Sequence, residues 1–202
     1  MNQDKEEKKI NSERQIYALY DEFKVRVYQA YNDKIADEAI EKGTFGSSFK
    51  LERMTWIKPS FLWMMYRSGW ASKEGQTRVL AIDIKREGFD FIVNHAVSSS
   101  YSKELSITVD QWREKLRKSE IRCQWDPERD VFGNPLKQRS IQLGLRGNTV
   151  FNYVNEWIIS ITDITQYVKD IKVKIDSNQE YKDLLPIESK YLPLKIFNMD
   201  QN

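Results

Sequence analysis

The sequence predicts an α+β fold: one domain with a mixed, mainly antiparallel sheet and flanking helices. Three observations carry this. Strand-like and helix-like runs interleave without the regular strand–helix–strand rhythm of a parallel sheet. Turn-forming residues separate neighbouring strand candidates twice, so two hairpins are expected. The chain has 202 residues, 40% of them hydrophobic and 12% aromatic, which suits a single core. The expected divisions are a flexible segment over 1–13, the domain over 14–175, and a tail over 176–202 packed on the surface.

In chain order, "QIYALY" and "KVRVYQAY" are rich in Tyr, Val and Ile and flank Asp21 and Glu22, which reads as the first hairpin. Asn32 is a cap for a helix over "DKIADEAIEK", where Ile35, Ala36, Ala39 and Ile40 share a face, and Gly43 fits its left-handed stop. "RMTWI" reads as a strand. Pro59 suits the first turn of a helix over "PSFLWMMYRS", ended by Gly69. "TRVLAIDI" is the best candidate for a buried strand, and "GFDFIVNHAV" has helical spacing at Phe89, Ile92, Val93 and Ala96. Thr108 with Gln111 forms a capping box before "VDQWREKLRK". "EIRCQW" reads as a strand, "DPERDVFGNP" as a turn-rich connection and "RSIQLGL" as the returning strand. Gly147 and Asn148 open a short helix to about Asn155, "EWIISI" is the last strand, and Asp163 caps "ITQYVKDIK". The tail after Ile175 carries three Asn and two Pro with little periodicity.

Composition narrows the function. Charged residues make up 31% and nearly cancel, at +2, with no run of five or more like charges, so no electrostatic nucleic-acid footprint is evident. "MNQDKEEKKINSER" mixes charge signs and has no apolar core, so no secretory signal is expected there. No apolar run approaches the roughly 18 residues of a transmembrane helix, so neither a membrane nor a membrane partner is expected, and the expected location is cytoplasmic. A single cysteine, Cys123, excludes an internal disulfide, and a single histidine, His95, excludes two-histidine metal sites. Phosphate-binding and dinucleotide-binding glycine motifs are absent. His95 reads as a helix residue and Cys123 as a small strand hydrophobe.

Three constellations remain. "RMTWIKPSFLWMMYRSGW", residues 53 to 70, sets Arg53, Lys58 and Arg67 among three tryptophans. A helix that starts at Pro59 directs free N–H groups and a positive dipole end toward its start, so Arg53, Lys58 and Ser60 there suit a phosphate. Trp56 or Trp63 suits stacking on a base. The same run also reads as core with cations snorkelling at its ends. Second, Asp126, Glu128 and Asp130 cluster past a strand, where they and Lys137 suit a Mg²⁺-dependent phosphodiesterase or simply form a charged turn. Nearby, alternation puts Ile141, Leu143 and Leu145 on one face and Ser140, Gln142 and Gly144 on the other, with Arg139 in the same strand. A polar face with a small glycine lines a cavity or faces water. Third, in "NEWIISITDIT", Glu156 precedes an apolar strand, either projecting into a cleft or solvated at the strand's start.

"YQAY", "RMTWIKPSFLWMMYRSGWA", "VLAIDI", "QWDPERD", "RSIQLGL" and "EWI" through "DIT" together resemble the uncharacterised domain-of-unknown-function family 4291, over roughly residues 14 to 168. A second resemblance is to the ADP-ribosyltransferase fold, a split, mainly antiparallel α+β sheet that clamps NAD in a cleft. "VYQAY" with its following helix is similar to that fold's opening strand and helix. "MTWIKPSFLWMM" is similar to its second motif, and "NEWIISITDIT" to its last. The resemblance implies NAD as substrate, with Arg53 and Lys58 on the pyrophosphate and Trp56 or Tyr28 stacked on a ring. It also implies that Glu156 stabilises the oxocarbenium-like centre formed as nicotinamide leaves. Gln29 or a nearby Tyr stands where that fold carries Arg or His, Thr55 lies in the second motif, and Gln142 competes with Glu156 for the third role. The implied acceptor is nucleic acid or protein. The alternatives are a nucleotide- or nucleic-acid-binding module built on Trp56, Tyr66, Arg67, Trp70 and Arg78, and the phosphodiesterase. Oligomeric state is not legible.

Overall fold

The computed structural model describes residues 13–103 and 106–194. The expected flexible segment over 1–13, except Glu13, lies outside these residues, as do the last eight positions of the tail. The elements begin with β1 (Tyr17–Ala18), β2 (Lys24–Tyr31), α1 (Asp33–Lys42), β3 (Thr55–Ile57), α2 (Phe61–Ser68) and β4 (Arg78–Lys85). They continue with α3 (Arg86–His95), β5 (Val97–Ser98), α4 (Val109–Lys118), β6 (Ile121–Arg129) and β7 (Pro135–Leu145). Last come α5 (Gly147–Asn152), β8 (Ile158–Asp163), α6 (Thr165–Asp176) and β9 (Ser189–Lys190). The fold is α+β in one domain, with six α-helices among the described residues.

The strands form two main sheets, ordered β2-β4-β8 and β3-β7-β6-β5, and a short β1-β9 ladder. Every ladder is antiparallel except β5 with β6, which is parallel. A single antiparallel bridge between Tyr28 and Lys58 ties the two main sheets together. Alternation along β2 and β4 feeds two cores. Val25, Val27, Leu80, Ile82 and Ile84 join Ile141, Leu143 and Leu145 of β7 in one. Tyr28, Val79 and Ala81 point the other way and join Phe61, Met64 and Met65 of α2 and Val168 and Ile171 of α6. β4 is therefore buried on both faces, which is why "TRVLAIDI" carries an almost unbroken apolar run.

Local signals mostly act where the sequence places them. Asn32 accepts from the Ile35 amide, and Gly43 adopts φ 68°. Ser60, not Pro59, caps α2 by accepting from the Trp63 amide, so that helix begins two residues later than expected. Thr108 and Gln111 make both bonds of the capping box.

Two expectations are corrected. The first hairpin forms its turn but not its ladder: Asp21 accepts from the Phe23 and Lys24 amides, and Tyr20 makes one bridge to Val25. β1 instead pairs with β9, because the free edge of β2 is engaged by Lys58 at Tyr28. In the second hairpin, β6 runs on through Pro127 and Glu128 before the turn at Asp130 to Asn134. β5 pairs only with Arg122 and Cys123, so Pro127 sits on an open edge where its missing N–H does no harm.

The tail crosses back over the molecule. Tyr191 is buried, donates to the Asp90 carboxylate at 2.5 Å, and meets Tyr20 and Phe89 edge-on. Tyr191→Ala is expected to cost about 3–5 kcal/mol, the range for deleting a buried ring, in urea unfolding, against about 1 kcal/mol for Tyr191→Phe. Equal effects would show that the ring contributes nothing beyond its hydroxyl.

Candidate functional site

A cleft of about 1050 Å³ opens where the two sheets meet. Its walls come from the end of β2 and start of α1, the 47–56 loop with β3, the inner face of α2, and the polar face of β6 and β7. Gln29, Arg53, Thr55, Trp56, Lys58 and Gln142, six of the residues singled out by sequence, line it together.

Gln29 forms the floor and is buried. Its Nε2 donates to Thr55 Oγ1 at 2.7 Å, Tyr31 Oη at 2.8 Å and the Trp56 carbonyl at 3.1 Å, and its Oε1 accepts from the Tyr153 hydroxyl at 2.8 Å. Three contacts for two amide hydrogens imply sharing, and every polar atom of the side chain is engaged. Gln29 and Thr55 are thus bracing residues that hold β3 against β2.

Polar alternation on the other wall is as the sequence predicts. Gln124 and Gln142 face each other across β6 and β7. Each donates an amide hydrogen to a different oxygen of Asp126, at 2.8 and 2.7 Å. Among the described residues, Asp126 is the sole acid lining this cleft, against five cations, Lys34, Lys50, Arg53, Lys58 and Arg67. At Gly144 a Cβ would meet Met54 Sδ at 2.8 Å and the Trp56 ring at 3.0 Å, so only glycine lets that indole lie across the strand.

Lys58 is buried, the one buried lysine among the described residues. Its Nζ lies 5.2 Å from the centre of the Trp63 ring and 3.3 Å from the Trp56 carbonyl. Burial pushes its pKa down to about 7, Arg67 adds to the fall, and Asp126 opposes it. The unfolded chain would hold this proton up to about 10.5, so the buried amine destabilises the fold as pH falls toward 7.

Other candidates lie elsewhere. Glu156 is exposed, in a turn of π-helix over Tyr153–Trp157 rather than at the strand's start, and does not line the cleft. The wider turn inserts a residue that the strand pattern does not reveal. Tyr28 faces the second core, edge-on to Phe61 at 5.5 Å, and its hydroxyl is buried without a partner. Arg139 is on the Ile141 face of β7 and bridges to Arg14. Trp70 is buried in the second core, Arg78 binds Asp163, Asp37 and Asp33, and Tyr66 is exposed beneath the Arg129 guanidinium at 3.9 Å. His95 is exposed, stacked on Phe91, and Cys123 is half-buried in β6.

The carboxylates proposed for a metal diverge. Asp126 faces the cleft, Glu128 lines a smaller cavity of about 310 Å³, and Asp130 accepts from Phe132 and Asn134 in the turn, while Lys137 is exposed. Among the described residues no group of three or more His, Cys, Asp or Glu could hold a metal ion. Nor is any described helix long and apolar enough to cross a membrane.

The start of α2, expected to hold a phosphate, is taken by the chain itself. Glu188 Oε1 accepts from the Phe61 amide at 2.6 Å, and Ser60 lines the small cavity beside it rather than the cleft. Nothing in the aperiodic tail sequence marks Glu188 for that contact. Burial raises its pKa to about 8, with the Phe61 N–H opposing. Because the folded value exceeds the ordinary 4.5, stability is fully present below 4.5 and falls as pH rises through 8. Glu188→Gln is expected to remove this dependence, so its melting temperature should gain on the parent protein between pH 5 and pH 8.5. A constant difference across that range would place the Glu188 carboxyl in solvent.

No curated protein matches the chain. The family model described as "Domain of unknown function (DUF4291)" matches residues 15–191, and the protein belongs to that family.

Proposed function

We propose that the cleft binds NAD or a related nucleotide and that the protein transfers ADP-ribose from it to an acceptor in nucleic acid or protein. The observation that carries this reading is the charge and shape of one cleft: five cations, a single braced carboxylate and two indole rings around about 1050 Å³. Ligand pockets commonly run to about 300–1,000 Å³, so this one has room for a dinucleotide. Arg53 and Arg67 are permanent cations for a pyrophosphate, and Lys58 gains its proton when an anion arrives. Trp56 offers a ring face to a base or nicotinamide.

Asp126 takes the role first assigned to Glu156. A carboxylate beside the ribose carbon stabilises the positive charge that grows there as nicotinamide departs. Gln124 and Gln142 hold both carboxylate oxygens, so little reorganisation accompanies that step. The nucleic-acid-binding alternative draws less support, since Trp70 and Arg78 are engaged within the fold.

Millimolar NAD or ADP-ribose should raise the melting temperature. The stabilisation grows as RT ln(1 + [L]/Kd), about 2.7 kcal/mol at one hundred times Kd. It should vanish in Arg53→Ala and shrink between pH 7 and pH 9, as Lys58 loses its proton more readily in the free protein. Asp126→Asn should keep the shift and lose nicotinamide release. An unmoved melting curve for the parent protein at millimolar ligand overturns the reading.

A further inference from the structure

The amine of Lys58 is placed for chemistry as well as for charge. Its side chain is 6% exposed, yet it lines the large cleft. It forms no ion pair with a carboxylate among the described residues. Its contacts are the Trp56 carbonyl at 3.3 Å and the Trp63 ring, a longish acceptor and an apolar face. The groups that act on it are Arg67 from α2, which disfavours its charge, and Asp126 from β6, which favours it. The remaining cations of the cleft, Lys34 of α1 and Lys50 and Arg53 of the loop before β3, are exposed at the rim. A lysine becomes a nucleophile when it is desolvated or set beside another cation, because both raise the fraction of neutral amine. Lys58 has both conditions, and the rim supplies separate cations for an anionic group on the incoming molecule.

We propose that Lys58 is a covalent nucleophile toward a phosphate-bearing aldehyde: the phosphate sits among Arg53 and the rim lysines while the aldehyde carbon meets Lys58 Nζ. The nitrogen lone pair attacks the carbonyl carbon, a C–N bond forms, and the C=O π pair moves to oxygen. One proton passes from nitrogen to that oxygen, giving a carbinolamine. Protonation of the hydroxyl and loss of water break the C–O bond and leave a protonated imine. The sequence is redox-neutral and needs only water and an acid. Both Asp126 oxygens accept glutamine amide hydrogens, so solvent at the exposed rim carries the proton. The Trp56 carbonyl accepts an N–H, which leaves the nitrogen lone pair free for attack. This step does not depend on NAD being the ligand, since any sugar phosphate with an open-chain aldehyde meets its requirements.

The test uses pyridoxal 5′-phosphate, a flat ring with an aldehyde and a phosphate, added substoichiometrically to the full chain and trapped with borohydride. Peptide mass spectrometry then reads the label on each lysine. Lys58 should be labelled at least tenfold faster than Lys34 or Lys50 at pH 7.5. Its rate should fall about tenfold per pH unit below 7, following the neutral amine. Pyridoxal without the phosphate should label it about tenfold more slowly. Lys58→Met removes the site and a buried charge together, so a folded variant is expected, and the label should disappear from that peptide with no gain elsewhere. Lys58→Arg keeps the charge and should also be inert. Label spread over lysines according to their exposure overturns the proposal. So does a phosphate-free probe that reacts equally well. Thermal shifts with NAD are read separately, so failure here leaves the nucleotide reading standing, and the reverse holds.

Discussion

The cleft depends on how β3 is held. β3 is three residues long and belongs by its ladder to the β7 sheet, but the Tyr28 amide also donates to the Lys58 carbonyl at 2.7 Å. One backbone bond would hold such a join weakly. The Gln29 side chain reinforces it by reaching Thr55 Oγ1 and the Trp56 carbonyl, and Tyr153 fixes Gln29 from the far side. In a buried setting each of these bonds is protected from water, and loss of any partner would leave an unsatisfied polar atom. Four segments distant in sequence are thereby set relative to one another. Lys58, Trp56 and Arg53 inherit their positions from that node.

The two ends of the "IKPSFLWMM" segment serve different purposes. Facing inward, Lys58 and Trp63 form part of the cleft wall. Facing the tail, the amide of Phe61 is closed by Glu188. The first N–H groups of a helix lack internal partners, and here an oxygen of the buried Glu188 carboxyl group accepts from one of them. The cations of the cleft therefore stand apart from the helix start, which Glu188 occupies. The tail is a working part of the fold: Glu188, the β9 pairing and Tyr191 stitch it to α2, β1 and α3 in turn.

Lys58 and Asp126 show how environment outweighs residue type. Asp126 is a common turn residue by sequence, but two glutamine amides make it a fixed, oriented carboxylate. Lys58 is one cation among several by sequence, but burial and the nearby Arg67 guanidinium make it an amine that loses its proton close to neutrality. A side chain fixed by two amides and an amine with a lowered pKa then line one cavity.

The sequence by itself determined the elements whose cause is local. Asn32, Gly43, Thr108 with Gln111, and the apolar run of β4 act through neighbours within a few residues, and they behave as read. The polar face of β7 was legible too, because alternation along a strand is a property of the backbone. Only the tertiary structure decided the rest. It sent β1 to β9 rather than β2, turned Glu156 outward on a π turn, closed the start of α2 with Glu188 and made Asp126 the acid of the cleft. Each of these depends on partners brought together from distant parts of the chain, and a contact of that kind leaves no periodicity for a reader of the sequence to find.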